Sequence, residues 1–163
     1  MIGLLNSDYM KIRRDIKVIK DPYSGNEYAV VPPIVPDVAV IHAFKGARSG
    51  AVVTDSFRND RLLATAAKKT IAVVEELVDE KDVVAGKFGV YVSAIHIDAV
   101  VHALNGAHPT SCRDRYGLDL KHLNEYMEAS KTEKTFEAYL KKYVLEPKDH
   151  EEYMQIVNAG GIR

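Results

Sequence analysis

The chain has 163 residues, 47% hydrophobic and 28% charged, enough to bury the core of one ordinary domain and keep a polar surface. Its formal net charge of −1 gives no electrostatic reason to expect nucleic acid or an anionic membrane as a partner. A single cysteine, Cys112, excludes an intrachain disulfide. No apolar run approaches the roughly 20 residues of a membrane helix, and Asn6, Ser7 and Asp8 cut short any signal peptide, so a soluble cytoplasmic protein is expected.

Ser7 or Asp8 can cap a short helix over residues 9–14, ahead of a strand over 16–19. Asp21-Pro22-Tyr23-Ser24-Gly25-Asn26 reads as a turn, with Gly25 free to take a positive φ, and residues 27–31 as the next strand. Pro32, Pro33 and Pro36 mark an extended connection, because proline cannot donate to a sheet ladder. Residues 37–44 carry Val38, Ala39, Val40 and Ile41 in succession. An unbroken apolar run of this kind predicts a strand covered on both faces. The chain then bends through residues 45–50 and returns as a strand over 51–54. A helix follows over 59–70, capped by Asn59 or Asp60, with Leu62, Leu63, Ala66 and Ala67 as its apolar face.

A strand is expected over 70–74 and a short helix over 79–84. Residues 88–101 divide into a connector and a strand near 97–103. Residues 105–111, Asn-Gly-Ala-His-Pro-Thr-Ser, form a loop. Helices are expected over 118–129, 131–145 and 149–157. Ser130 and Glu133 stand at capping-box spacing, and Gly160 and Gly161 close the last helix. Strands alternating with helices, then helices alone, predict an α/β fold with a largely parallel or mixed sheet flanked by helices. Residues 1–117 make the α/β part and residues 118–163 a C-terminal helical extension.

Three stretches, taken in order, resemble the A-type subunit of the type I coenzyme A transferases. Lys45-Gly46-Ala47-Arg48-Ser49-Gly50-Ala51 stands in place of a segment close to KADRxGN, with Ala47 and Ala51 replacing the usual Asp and Asn. Ala72-Val73-Val74-Glu75-Glu76-Leu77-Val78 resembles VEVEEIV. Asp98-Ala99-Val100-Val101-His102-Ala103-Leu104-Asn105-Gly106-Ala107-His108-Pro109 resembles DAVVxxPxGAHP. Pro147-Lys148-Asp149-His150-Glu151-Glu152-Tyr153 resembles the glutaconate CoA-transferase branch. The glycine-rich loop of the family's first half has no counterpart, so the likeness is to the second half of the A-type subunit.

The resemblance implies a ping-pong transfer of CoA between an acyl-CoA and a carboxylic acid such as glutaconate or a 3-oxoacid. It proceeds through an acyl anhydride and a glutamyl-CoA thioester. The nucleophilic glutamate would come from the B-type subunit of the transferase, so no catalytic residue is expected in this chain. Further partners would be the missing N-terminal half of the A-type subunit and acyl-CoA, in an oligomer. CoA thioester would be substrate, with no bound cofactor. Two other readings stay open. One is a CoA-thioester, ring-opening hydrolase of the same fold. The other is a non-catalytic interaction protein derived from it, in which an open sheet edge demands a partner.

Candidate contacts to substrate are His108, Ser111, Arg48 and His42. His108 sits in the Gly-Ala-His-Pro loop, which the resemblance places near the acyl-CoA site; it can equally fix the loop by bonding backbone. Ser111 can offer an oxyanion contact or simply stabilise its turn. Arg48 can hold a phosphate or carboxylate in bidentate fashion, or pair across the turn. His42 lies in a strand. Glu75 and Glu76, one on each face of a strand end, can each offer the carboxylate such a reaction needs; the plainer expectation is that one caps or pairs locally and the other is solvated. His96 and His102 with Asp98 imitate a metal triad but match no known ligand spacing, and no metal is expected. Cys112, near Arg113 and Arg115, reads either as a thiol of lowered pKa or as inert.

Overall fold

The turn residues of the amino-terminal segment act as expected. A short helix, α1 (Asp8–Ile12), precedes β1 (Lys17–Lys20) and β2 (Glu27–Val30). The two strands form an antiparallel hairpin in which Lys17 pairs with Val30 and Lys20 with Glu27. The Asp21 carboxylate holds the turn by accepting from the N–H groups of Tyr23 and Ser24 at 3.1 and 3.2 Å. Gly25 takes φ 73°, where a side chain would be strained. In this computed structural model, which describes residues 3–159, the chain divides after Val35 into two units. The hairpin belongs to the first.

The second unit is built on a mixed sheet. β3 (Ala39–Gly46) turns back into β4 (Val52–Asp55); α2 (Asp60–Ala66) crosses to β5 (Thr70–Val74); then follow β6 (Gly89–Val92) and β7 (Ala99–His102). The spatial order is β6-β4-β3-β5-β7. β3, β5 and β7 run parallel, whereas β4 and β6 are antiparallel to their neighbours. This is the mixed sheet flanked by helices that the sequence predicts.

One face of the sheet carries the main core: Ile41, Ala43, Val52, Ala72, Val74 and Val92, closed by Ala64 of α2. The helix presents Ala64 to the sheet, not the leucines expected there; Leu62 is 68% exposed. A small side chain at the contact lets a short helix sit close to the strands. A second cluster of Ala47, Ala51, Val53 and Val83 packs with Phe44 and Val78. The expectation that residues 38–41 are covered on both faces does not hold. Ala39 and Ile41 are buried, but Val40 is 64% exposed.

Residues 88–101 hold two strands, not one. β6 pairs with β4 from Val52 opposite Val92 to Asp55 opposite Gly89, and a 3-10 turn over Ala94–His96 separates it from β7. That turn breaks the strand on which His96 and His102 would have shared a face. Asp98 instead accepts from the Thr70 N–H at 2.7 Å.

The helical extension comprises α3 (Leu120–Ala129), α4 (Glu133–Leu140) and α5 (His150–Ala159). Asp119 caps α3 by accepting from the His122 N–H at 2.9 Å. Thr132, not Ser130, caps α4; Ser130 ends α3. α4 continues as a π-helical turn over Lys141–Leu145, which buries Tyr143. Its hydroxyl donates to both Glu125 carboxylate oxygens at 3.0 Å. Gly160 and Gly161 lie outside the described residues. Among the described residues no helix is long and apolar enough to cross a membrane.

Candidate functional site

All three stretches that resemble the transferase meet at the carboxyl ends of the parallel strands. Residues 45–51 end β3 and turn into β4, residues 75–78 leave β5, and residues 103–109 leave β7. In open α/β sheets this is the end at which ligands are bound.

Glu75 is the centre of this end. Its side chain is 0% exposed, and each carboxylate oxygen is engaged. One oxygen accepts from His42 Nε2 at 2.6 Å and from the Tyr116 hydroxyl. The other accepts from the Asn105 N–H at 2.7 Å. Tyr116 passes the network on, its oxygen accepting from the Ala107 N–H at 2.9 Å. One carboxylate thus ties β3, β5, the loop after β7 and the turn at residues 112–116. Burial pushes the Glu75 carboxyl up, but the bonds from Tyr116, His42 and Asn105 outweigh it and hold it below the usual glutamate value. Burial and the carboxylate beside it push the Tyr116 phenol up.

The loop geometry follows from two residues. Asn105 takes φ 58°, which asparagine tolerates better than most. Gly106 has no room for a side chain, since a Cβ would stand 2.8 Å from the Ala103 carbonyl oxygen. Glycine here serves close approach, and the left-handed backbone falls to asparagine.

Glu76 faces the other way and pairs with Arg115 at 3.0 Å. It lines a cleft of about 630 Å3 with Phe44, Phe88 and the basic side chains Lys45, Lys87, Arg113 and Arg115. Arg113 lies 4.4 Å over the Phe57 ring and pairs with Asp55 at 3.1 Å. Asp60 lies at the start of α2 with Oδ2 buried and without a hydrogen-bond partner among the described residues. Burial pushes its pKa up despite the pull of Arg58 and His42.

Of the residues singled out in the sequence, His42 joins the Glu75 network. Asn105 and Ala107 of the His108 loop also reach it, but His108 itself turns to the helical extension. There its Nε2 lies 3.1 Å from Asp119 Oδ2 and its Nδ1 2.6 Å from the Tyr153 hydroxyl. Its ring meets that of His122 edge-on at 4.9 Å, and His122 Nε2 bonds the Tyr139 hydroxyl at 2.7 Å. Ser111 is exposed. Arg48 is exposed at the β3–β4 turn, in a separate cleft of about 400 Å3 with Ser49, Asp79 and Glu80.

Among the described residues, two groups bring possible metal-ligand atoms within 4.8 Å of one another: His42, Glu75 and Cys112, and His108, Asp119 and His122. The histidine and carboxylate groups are already engaged as described. The Cys112 thiol is buried, and desolvation pushes its pKa up to about 11, the reverse of what a thiolate ligand needs.

Over 145 residues the chain is 34% identical to the A-type subunit of glutaconate CoA-transferase from Acidaminococcus fermentans, a match covering 88% of this chain and 45% of the relative. Over 155 residues it is 32% identical to the A-type subunit of 3-oxoadipate CoA-transferase from Pseudomonas knackmussii, covering 94% and 54%. The crystal structure of the Acidaminococcus transferase matches at a TM-score of 0.76 and 34% identity, over 90% of this chain and 47% of that one. The chain is homologous to the A-type subunits of glutaconate and 3-oxoadipate CoA-transferases. It spans about half the length of these curated relatives. A cholesterol ring-cleaving hydrolase IpdA subunit of Rhodococcus jostii is 28% identical over 86% of the chain and 51% of its own length. No family model matches.

Sequence reasoning missed Glu75 as the organiser of the site and missed the convergence of Arg113 and Arg115 with Lys45 and Lys87. The alternation of a strand end reveals that Glu75 and Glu76 face opposite ways but not which is buried. The basic cleft joins residues from distant parts of the chain, which no local pattern links.

Proposed function

We propose that this chain is part of the A-type subunit of a CoA-transferase that moves CoA between an acyl-CoA and a carboxylic acid. The observation that carries this reading is the 34% identity with the glutaconate CoA-transferase polypeptide across most of the chain. The nucleophilic carboxylate comes from the B-type subunit. Glu75 is unsuited to the part: it is fully buried, held by three donors and tied to the fold. A nucleophile must be exposed to the acyl carbon and free to form a bond. This chain supplies the scaffold of the cleft, and the basic side chains beside Phe44 and Phe88 favour the anionic part of an acyl-CoA.

The test combines this chain, the remaining portion of the A-type polypeptide and the B-type subunit with glutaconyl-CoA and acetate, and follows CoA exchange with intact-mass analysis of each polypeptide. Exchange is expected, with the CoA adduct on the B-type subunit. No exchange, or an adduct on this chain, overturns the reading. The likeness to the ring-cleaving hydrolase favours a second reading, in which water is the acceptor. Product formed at full rate without any acceptor acid selects that one.

A further inference from the structure

We propose that His108, Asp119 and His122 form a binding site for one divalent first-row cation, and that Zn2+ is the ion this ligand set suits. The site stands apart from the Glu75 network, and the inference does not depend on whether the chain transfers CoA.

Two segments make the site. His108 comes from the loop after β7, and Asp119 and His122 come from the start of α3. One ligand atom of each residue lies within 4.8 Å of the other two. His108 Nε2 and Asp119 Oδ2 are 3.1 Å apart. Two ligands on one tetrahedral Zn2+, each about 2.1 Å from it, stand about 3.4 Å from one another. This pair is therefore close to the spacing that an ion between them requires.

The bonds already made at the cluster are compatible with an ion. A phenol holds each imidazole at one nitrogen: His108 Nδ1 lies 2.6 Å from the Tyr153 hydroxyl, and His122 Nε2 lies 2.7 Å from the Tyr139 hydroxyl. When those nitrogens carry the proton and donate it, the lone pairs fall on the opposite atoms, His108 Nε2 and His122 Nδ1. Metal-ligating histidines are oriented in this way, through the nitrogen that does not touch the metal. Asp119 caps α3 with Oδ1, 2.9 Å from the His122 N–H, so Oδ2 can bind without loss of the cap. The one bond that the ion replaces is that between His108 and Asp119. Without the ion, His108 carries its proton on Nε2, donates it to Asp119 and accepts from Tyr153.

The donor set and its burial select the ion. Two imidazole nitrogens and one carboxylate oxygen suit Zn2+, whereas Mg2+ and Ca2+ take oxygen ligands. The His108 side chain is 6% exposed and His122 is buried, but the Asp119 side chain is 19% exposed. Asp119 thus gives an entry path and a place for water as fourth ligand. The other cluster, His42, Glu75 and Cys112, is the poorer candidate, since three donors already occupy both Glu75 oxygens. An ion on His108, Asp119 and His122 would tie the loop after β7 to α3 and, through the two phenols, to α4 and α5.

The test titrates Zn2+ into the 163-residue chain, freed of metal by chelator, and follows binding by calorimetry. The variants are Asp119→Asn, His108→Gln and Cys112→Ser, each checked for folding by circular dichroism. Asp119→Asn keeps the capping oxygen, so α3 retains its start. One Zn2+ per chain is expected, with Cys112→Ser unchanged and the other two variants weaker by at least about tenfold. Co2+ in place of Zn2+ should give the visible absorption of a tetrahedral site with no thiolate charge-transfer band. No binding at about 100 µM Zn2+, equal affinity in Asp119→Asn, or binding lost in Cys112→Ser each overturn the proposal. A thiolate band on Co2+ overturns it too, by placing the ion at the Cys112 cluster. Failure of CoA exchange leaves these affinities untouched, so the two readings fail separately.

Discussion

The segment that follows β7 is anchored twice, and the two anchors are made of different chemistry. On the sheet side a buried carboxylate, Glu75, accepts from His42, Asn105 and Tyr116. On the helical side His108 bridges Asp119 and Tyr153, and His122 sits among Tyr139, Tyr143 and Glu125. The first anchor concentrates one full charge where water does not reach and compensates it with three donors. The second spreads its polarity over imidazoles and phenols packed edge to face. A charge hub is all-or-none, because removing it strands every donor at once. An aromatic network loses one bond at a time.

The largest effect should come from Glu75→Ala. It leaves a phenol, an imidazole and an N–H unpaired in the interior, at a cost of about 3–5 kcal/mol in urea unfolding. A loss below about 1 kcal/mol would show that water replaces the carboxylate. His108→Ala strips Asp119 and Tyr153 of a shared partner and should cost about 1–3 kcal/mol. Hydrogen exchange should then speed up in α3 and α5 and stay slow in β3 and β5; equal loosening of both regions would contradict the separation of the anchors.

Acidification should separate the two anchors by pH. Burial and the nearby His108 hold the His122 pKa below its ordinary 6.5. The unfolded chain therefore takes up a proton that the folded chain refuses, and stability falls as pH drops below about 6.5. Glu75 is also depressed, from an ordinary 4.5, so its contribution is full above that value and is lost as pH falls through the lower folded one. Near-ultraviolet tyrosine signals of the helical extension should change first and the sheet later. A single transition would merge the two anchors into one cooperative unit. The smallest effect belongs to Glu76→Ala, next in the chain to the hub. Its exposed pair with Arg115 should be worth no more than about 0.5 kcal/mol by the same urea measurement.

How much of this the sequence discloses depends on how local the cause is. The strand Thr70–Val74 is legible to the residue, because its β-branched run is interrupted at both ends by charge. The turn at Asp21 and the φ of Gly25 are legible for the same reason. β6 is not, since four residues after a phenylalanine acquire strand character only by pairing with β4. Thr132 outcompetes Ser130 as a cap because α3 runs on to Ala129 and consumes Ser130 as its end. The site is least legible of all. The partners of Glu75 lie 33, 30 and 41 residues away, and Tyr153 lies 45 from His108. Nothing in either neighbourhood announces the other.

Those separations have a consequence for synthesis. A nascent chain exposes Glu75 before two of its three donors exist, and Tyr116 follows it by 41 residues. Until then the carboxylate must remain in water, and the upper end of the sheet stays open around it. Sheet pairing among β3, β4 and β5 is available early, whereas closure over Glu75 awaits the segment beyond β7. A ribosome stalled before residue 116 therefore holds a sheet with a solvated acid at its end. The step that buries this charge comes late in the growth of the chain, after the strands it joins are already made.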